Sequence, residues 1–200
     1  MFLALSRAID AVNGWIGRKA AWLLLAATAI SAANAIIRKT LNTSSNVWLD
    51  AQWMLFSAVF LLCASWTLRD NEHVRIDVLS NRFSKRTRDW IDVIGHAFVL
   101  IPFCLIMIWT SVPFAQASIA TNEQSFAAGG LPQWPIKLLM PIAFFMLLLQ
   151  AISELIKRIA IISGRMEDPV LAADAAEAEV ERLKAAIIVD EADEASPARP

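Results

Sequence analysis

The residues able to do chemistry in this chain are few, and their spacing argues against most of it. His73 and His96 are its 2 imidazoles and Cys63 and Cys104 its 2 thiols. Neither histidine stands at ligand spacing to a carboxylate cluster or a cysteine, so no metal centre is expected. Both thiols lie inside apolar runs, where a cysteine is a small buried side chain rather than half of a disulfide framework. The chain has no Walker loop, no G-x-S-x-G elbow and no dinucleotide fingerprint. An enzyme, a bound cofactor or a self-sufficient ATP-driven pump is therefore not expected. What remains are two stretches where polar residues crowd together, WTLRDNEHVRIDVL at 66–79 and NEQSFAAGGLPQWPIK at 122–137.

The elements that must position these stretches are membrane spans. Apolar residues make up 57% of the 200 and charged residues 18%, too little polar surface to cover a water-soluble domain. Four segments, at about 20–37, 51–68, 93–115 and 138–156, approach the roughly 20 residues that carry a helix across about 30 Å of hydrocarbon. Pro102 falls inside the third, where neighbouring helices are expected to satisfy the freed carbonyl. Pro141 falls in the expected first turn of the fourth, where a missing N–H costs little. The expected fold class is an all-α membrane protein with four transmembrane helices and interfacial amphipathic helices.

Cations sort the connections by side. Arg7, Arg18 and Lys19, then Arg69, Arg75, Arg82, Lys85, Arg86 and Arg88, then Lys157, Arg158 and Arg165 fall on one side; Arg38, Lys39 and Lys137 fall on the other. Cytoplasmic loops retain positive charge, so both termini are expected in the cytoplasm. Trp48, Trp109 and Trp134 mark the outer ends of spans, and Trp15, Trp22, Trp66 and Trp90 the inner ends, at the headgroup level that amphipathic rings prefer.

The abrupt end of the second apolar run at Arg69 is then a change of solvent. Beyond it, Val74, Val78, Leu79 and Phe83 can keep one face in the interface, and Glu72–Arg75, His73–Asp77 and Lys85–Asp89 stand at helical pairing distance. The alternation in HVRIDV also permits a strand; beside a membrane, helix is favoured. Residues 1–17 read as a separate amphipathic helix along the inner surface, with Phe2, Leu5, Ile9, Val12 and Ile16 on one face and Arg7, Asp10 and Asn13 elsewhere. Ala33-Asn34-Ala35 imitates a signal-peptidase site, but the apolar run continues through Ile36-Ile37 into Arg38-Lys39, so this span is expected to be retained.

The polar groups within spans are Asn34, His96, Gln150 and Glu154, all toward span ends, with Lys157 and Arg158 within a turn of Glu154. They read as satisfied interfacial groups, and a chain with no midplane ion site suits an accessory subunit better than a stand-alone transporter or channel. The outer loop, 116–137, reads as ordered and turn-rich, from Glu123, the Gly129-Gly130 pair, Pro132 and Pro135; it is either a connector or a docking surface. After the four-span domain, 18–160, an acidic tail occupies 161–200. Its last 35 residues, 166–200, hold 3 Lys/Arg against 10 Asp/Glu. Residues 171–189 are rich in helix formers and 190–200 read as disordered.

The order of Trp48-Leu49-Asp50, an apolar span, L-R-x-N-E-H-V-R-I-D at 68–77, WIDVIG at 90–95, Pro102 and E-x-S-x-x-x-G-G-L-P at 123–132 resembles the small membrane subunit, Q or DctQ type, of tripartite ATP-independent periplasmic (TRAP) transporters. The resemblance covers about residues 8–160. It implies a bacterial inner-membrane protein that joins a large multispanning subunit, which carries substrate and sodium, and works with a periplasmic binding protein that delivers an organic acid bearing a carboxylate. It implies uptake driven by the sodium gradient, with this chain as scaffold of the fixed part of an elevator-type transporter. Sodium would be bound by the large partner, membrane lipid would surround the chain, and no nucleic-acid partner is expected. Small residues such as Ala26, Ala29 and Ala33 would let helices approach that partner closely. Arg69, Asn71, Glu72, His73, Val74, Arg75 and Asp77 would form the cytoplasmic motif, and Glu123, Ser125, Gly129, Gly130, Leu131 and Pro132 a periplasmic contact. An anchor or assembly subunit of another membrane complex would explain the spans but not both motifs.

Overall fold

The computed structural model describes residues 2–42, 45–70 and 85–166, together with Glu179, Val180 and Leu183. Among these residues the secondary structure is helical, apart from one isolated antiparallel bridge between Gln124 and Pro132. In chain order the helices are α1 (Phe2–Leu41), α2 (Asn46–Arg69), α3 (Lys85–Ile94), a π-helical turn (Gly95–Leu100), α4 (Ile101–Ala120) and α5 (Trp134–Ile162). Four stretches are long and apolar enough to cross a membrane: Leu3–Leu41, Asn46–Arg69, Asp89–Ala120 and Trp134–Ile162.

Each helix outruns the apolar run that announced it, because a helix satisfies its own backbone groups in lipid and in water alike. α1 is the extreme case. Its 40 residues make a rod of about 60 Å at 1.5 Å per residue, and residues 2–17 join the first span without a break. α5 starts at Trp134, so Pro141 lies inside the helix rather than in its first turn, and Pro135 takes the N-terminal position instead. The connection between α4 and α5 is accordingly 121–133, shorter than the apolar runs suggested.

Pro102 is handled locally. Its ring would crowd the carbonyl four residues back, at Phe98. The turn just before it widens to π geometry, with the Ile101 N–H reaching the His96 carbonyl, a local change of the helical ladder beside the proline.

α1 and α2 pack closely because small residues line their contact. A Cβ on Gly17 would stand 2.6 Å from the Cβ of Trp66, and one on Gly14 would overlap the Arg69 guanidinium. Ala20 and Ala27 are buried in α1, whereas Ala26, Ala29 and Ala33 face outward. A further core joins Leu68 of α2, Cys104 of α4 and Leu147 and Ala151 of α5. The interior is thus small and polar while Trp22, Phe60, Phe98 and Trp109 are exposed. That is the distribution expected where the solvent is as apolar as leucine. The molecule is an all-α membrane protein.

The contacts divide the chain into a body, Met1–Ile159, and a C-terminal part, Ala160–Pro200. In the C-terminal part Arg165 N–H closes on the Ala160 carbonyl at 2.9 Å, and Glu179, Val180 and Leu183 are helical and exposed.

Candidate functional site

The body carries a polar assembly at each end. At the N-terminal end it grows from two stripes. Ser6, Asp10 and Asn13 recur at four- and three-residue spacing along one face of α1, and Gln150, Ser153, Glu154 and Lys157 do so along α5, so each set meets the other as a continuous strip. Ser6 and Ser153 share a hydroxyl hydrogen bond of 2.7 Å. Ser153 donates to Asp10 Oδ1 at 2.9 Å, and Lys157 Nζ donates to Asp10 Oδ2 at 3.1 Å. Gln150 is completely buried and uses its whole amide: Oε1 accepts from Asn13 Nδ2 at 2.8 Å, while Nε2 donates to Asp10 Oδ1 at 2.8 Å and Glu154 Oε1 at 2.9 Å. Lys157 also binds Glu154. A buried amide with every position satisfied fixes a register, because sliding either helix by one turn would orphan several groups at once.

Two cations extend this end to the other helices. Arg69 bonds Asp70 at 2.8 Å and, passing over Gly14, donates from Nη1 to the Asp10 carbonyl at 3.1 Å. Arg158 pairs with Asp89 at 3.3 Å and Asp92 at 3.2 Å, pulling α3 onto α5. Asp89 thus faces Arg158; the side chain of Lys85, its expected partner, lies outside the described residues. His96 Nδ1 lies 2.6 Å from the Asp92 carbonyl, a bond within its own helix.

At the opposite end the 121–133 loop is tied internally and to α2. Gln133 N–H donates to the Glu123 carbonyl at 2.8 Å, Ser125 N–H to the Leu131 carbonyl at 3.1 Å, and Gly130 N–H to the Ala127 carbonyl at 3.0 Å. The first turns of α2 reach over it: Asn46 Nδ2 donates to the Ala128 carbonyl at 3.0 Å, and Asp50 Oδ2 accepts from Leu131 N–H at 3.0 Å. Gly130 admits this closeness, since a Cβ there would collide with Asp50 Oδ2 and the Ser125 side chain. Lys137 binds Glu123 Oε2 and lies 4.1 Å from the centre of the Phe114 ring. That ammonium holds the Glu123 carboxyl below its usual range. Beside the loop is a cavity of about 440 Å³, bordered by Asp50, Trp53, Glu123, Phe126, Gln133 and Lys137 among others, and Phe126 projects fully exposed from the tip.

Residues 12–160 match the model of the family described as tripartite ATP-independent periplasmic transporters, DctQ component. The chain belongs to the DctQ family. No curated protein and no solved structure matches it.

Within this DctQ component the expected site residues separate. Glu123, Ser125, Gly129, Gly130, Leu131 and Pro132 come together in one hydrogen-bonded loop. Of the other motif, Arg69 is placed as above, while Asn71, Glu72, His73, Val74, Arg75 and Asp77 lie outside the described residues. So do the expected pairs Glu72–Arg75 and His73–Asp77. Asp10 and Asn13 had been placed only on the polar side of residues 1–17, and Asp50 not as the clasp of the loop; Lys157 had been matched with Glu154, which it binds, but not with Asp10. The 4-3-4 recurrence of Ser6, Asp10, Asn13 and Gly17 was the available signal.

Proposed function

We propose that this small TRAP subunit acts as a scaffold, bracing the large transport subunit rather than passing substrate itself. The observation that supports this most is the N-terminal assembly. Asp10, Glu154 and Lys157, and Arg158 with Asp89 and Asp92, are engaged with one another, which makes them struts between helices instead of ligands for a moving ion. Ala26, Ala29 and Ala33, exposed on α1, offer a surface where a second membrane protein can approach closely.

In this reading uptake is sodium-driven, the cargo is an organic acid with a carboxylate, and sodium sits in the large partner. A periplasmic binding protein supplies the cargo. The chain is a multi-pass protein of the bacterial inner membrane with both termini in the cytoplasm, as the Lys/Arg asymmetry favours. Arg69 and the residues of its motif hold the cytoplasmic connection in place. Glu123, Ser125, Gly129, Gly130, Leu131 and Pro132 contact the large subunit or the docked binding protein.

The test is tagged co-purification in mild detergent with the neighbouring genes co-expressed, followed by reconstituted uptake. One large multispanning protein in fixed ratio is expected. Asp10→Asn should lower the amount of complex while the residual uptake keeps its sodium dependence. Recovery of the chain alone, or an altered sodium dependence, would overturn the scaffold. Unchanged uptake and docking in Glu123→Ala and Gly129→Trp would remove the loop contact.

A further inference from the structure

We propose that the cavity beside the 121–133 loop binds the ammonium headgroup of a phospholipid, with Asp50, Trp53 and Phe126 receiving the ammonium. The reading starts from Asp50. Its Oδ2 accepts one backbone N–H, and among the described residues no cationic side chain pairs with it. It therefore presents an uncompensated negative charge to a cavity of about 440 Å³. Trp53 stands one helical turn further along α2, largely exposed, and Phe126, which also borders the cavity, is fully exposed. A carboxylate and two aromatic side chains that border one cavity can hold an ammonium group through charge and through attraction to the ring quadrupole.

The rest of the lining leaves that charge unmatched. Lys137 borders the same space but is spent on Glu123, which borders it too, so the cavity keeps Asp50 as its unmatched charge and is complementary to a cationic group. The position agrees. Asp50 is the last charge before the uncharged stretch 51–68, which places it where hydrocarbon gives way to headgroups. Trp53 and Met54 line the cavity on the side of that stretch, leaving acyl chains a path along α2. An ammonium phospholipid of the phosphatidylethanolamine class meets every one of these conditions, and the proposal holds whether or not the scaffold reading does.

The test uses the full chain, co-purified with whatever it assembles with, in nanodiscs of equal phosphatidylethanolamine and phosphatidylglycerol. Retained lipid is measured by native mass spectrometry. Enrichment of phosphatidylethanolamine is expected. Asp50→Asn keeps an acceptor for Leu131 N–H but removes the charge, and should cut that enrichment about tenfold. Trp53→Leu lies outside the loop's hydrogen bonds and should cut it several-fold, which guards against a misfolded loop as the cause. Equal retention of both lipids, or enrichment unchanged in both variants, would overturn the proposal. So would a carbodiimide cross-link joining Asp50 to a lysine of a co-purified protein.

Discussion

Lys157 and Asp10 meet at 3.1 Å across 147 residues of chain, and the same lysine binds Glu154 one turn back on its own helix. One cation thus serves two acids on two helices, each about a fifth exposed or less. Replacing Lys157 by Met should leave both carboxylates facing each other and destabilise the body by about 2 kcal/mol. Lys157→Arg should restore most of it. Thermal unfolding of the detergent-solubilised protein, followed by tryptophan fluorescence, reads the difference; equal midpoints for Met and Arg would show that the pair contributes nothing.

Gln150 offers a sharper case because its amide serves Asn13, Asp10 and Glu154 together. Gln150→Leu should cost about 1–3 kcal/mol for each group left without a partner. Asn13→Leu alone should be similarly harmful. The double substitution should be much less damaging than the sum, since the two losses share one bond. A double-mutant cycle by reversible unfolding checks this, and strict additivity would mean that the network does not act as a unit.

Gly130→Ala places a methyl against Asp50 Oδ2 and the Ser125 side chain. The expected result is loss of the Asp50 clasp, at a cost of about 1–3 kcal/mol, with the Leu131 amide exchanging faster by hydrogen–deuterium exchange. Protection of the Leu131 amide at the level of the parent protein would contradict it.

The Glu123–Lys137 pair predicts a pH dependence with a defined sign. The carboxyl is held below its ordinary value of 4.5, chiefly by its hydrogen bond to Lys137. A group depressed on folding stabilises the folded state in full above its unfolded pKa, and that contribution drains away as pH falls through the lower folded value. The thermal midpoint should therefore fall as the solution is taken below about 4.5, and Glu123→Gln should flatten that part of the profile. A Gln variant with an unchanged acid limb would assign the effect elsewhere.

How much of this was legible in the sequence follows from what a membrane does to sequence signals. Length and apolarity alone reveal a span, so the four appeared at 20–37, 51–68, 93–115 and 138–156, within the helices now described. Their ends were hidden because helix continues past the hydrocarbon without any change in hydrogen bonding, as at Trp134 and Phe2. The outer loop was legible from residue types, since a Gly-Gly-Leu-Pro run between spans demands a turn. Asp50, its clasp, was not, because nothing in sequence couples positions 81 residues apart. What the polar side of α1 meets was not legible. Leu5 and Val12 point outward and Ser6 and Asn13 inward. An amphipathic pattern has the same period whether its polar side meets water or other helices.

The bond between Ser6 and Ser153 carries a consequence for synthesis. A ribosome adds roughly 5–20 residues per second, so the polar strip of α1 exists for on the order of ten seconds before its partner strip on α5 has been made. During that interval the strip cannot settle into lipid with its hydrogen bonds intact. Biogenesis must keep it wetted, or lodged against the insertion machinery, until α5 arrives. A segment translated well before its partner is finished only when that partner arrives.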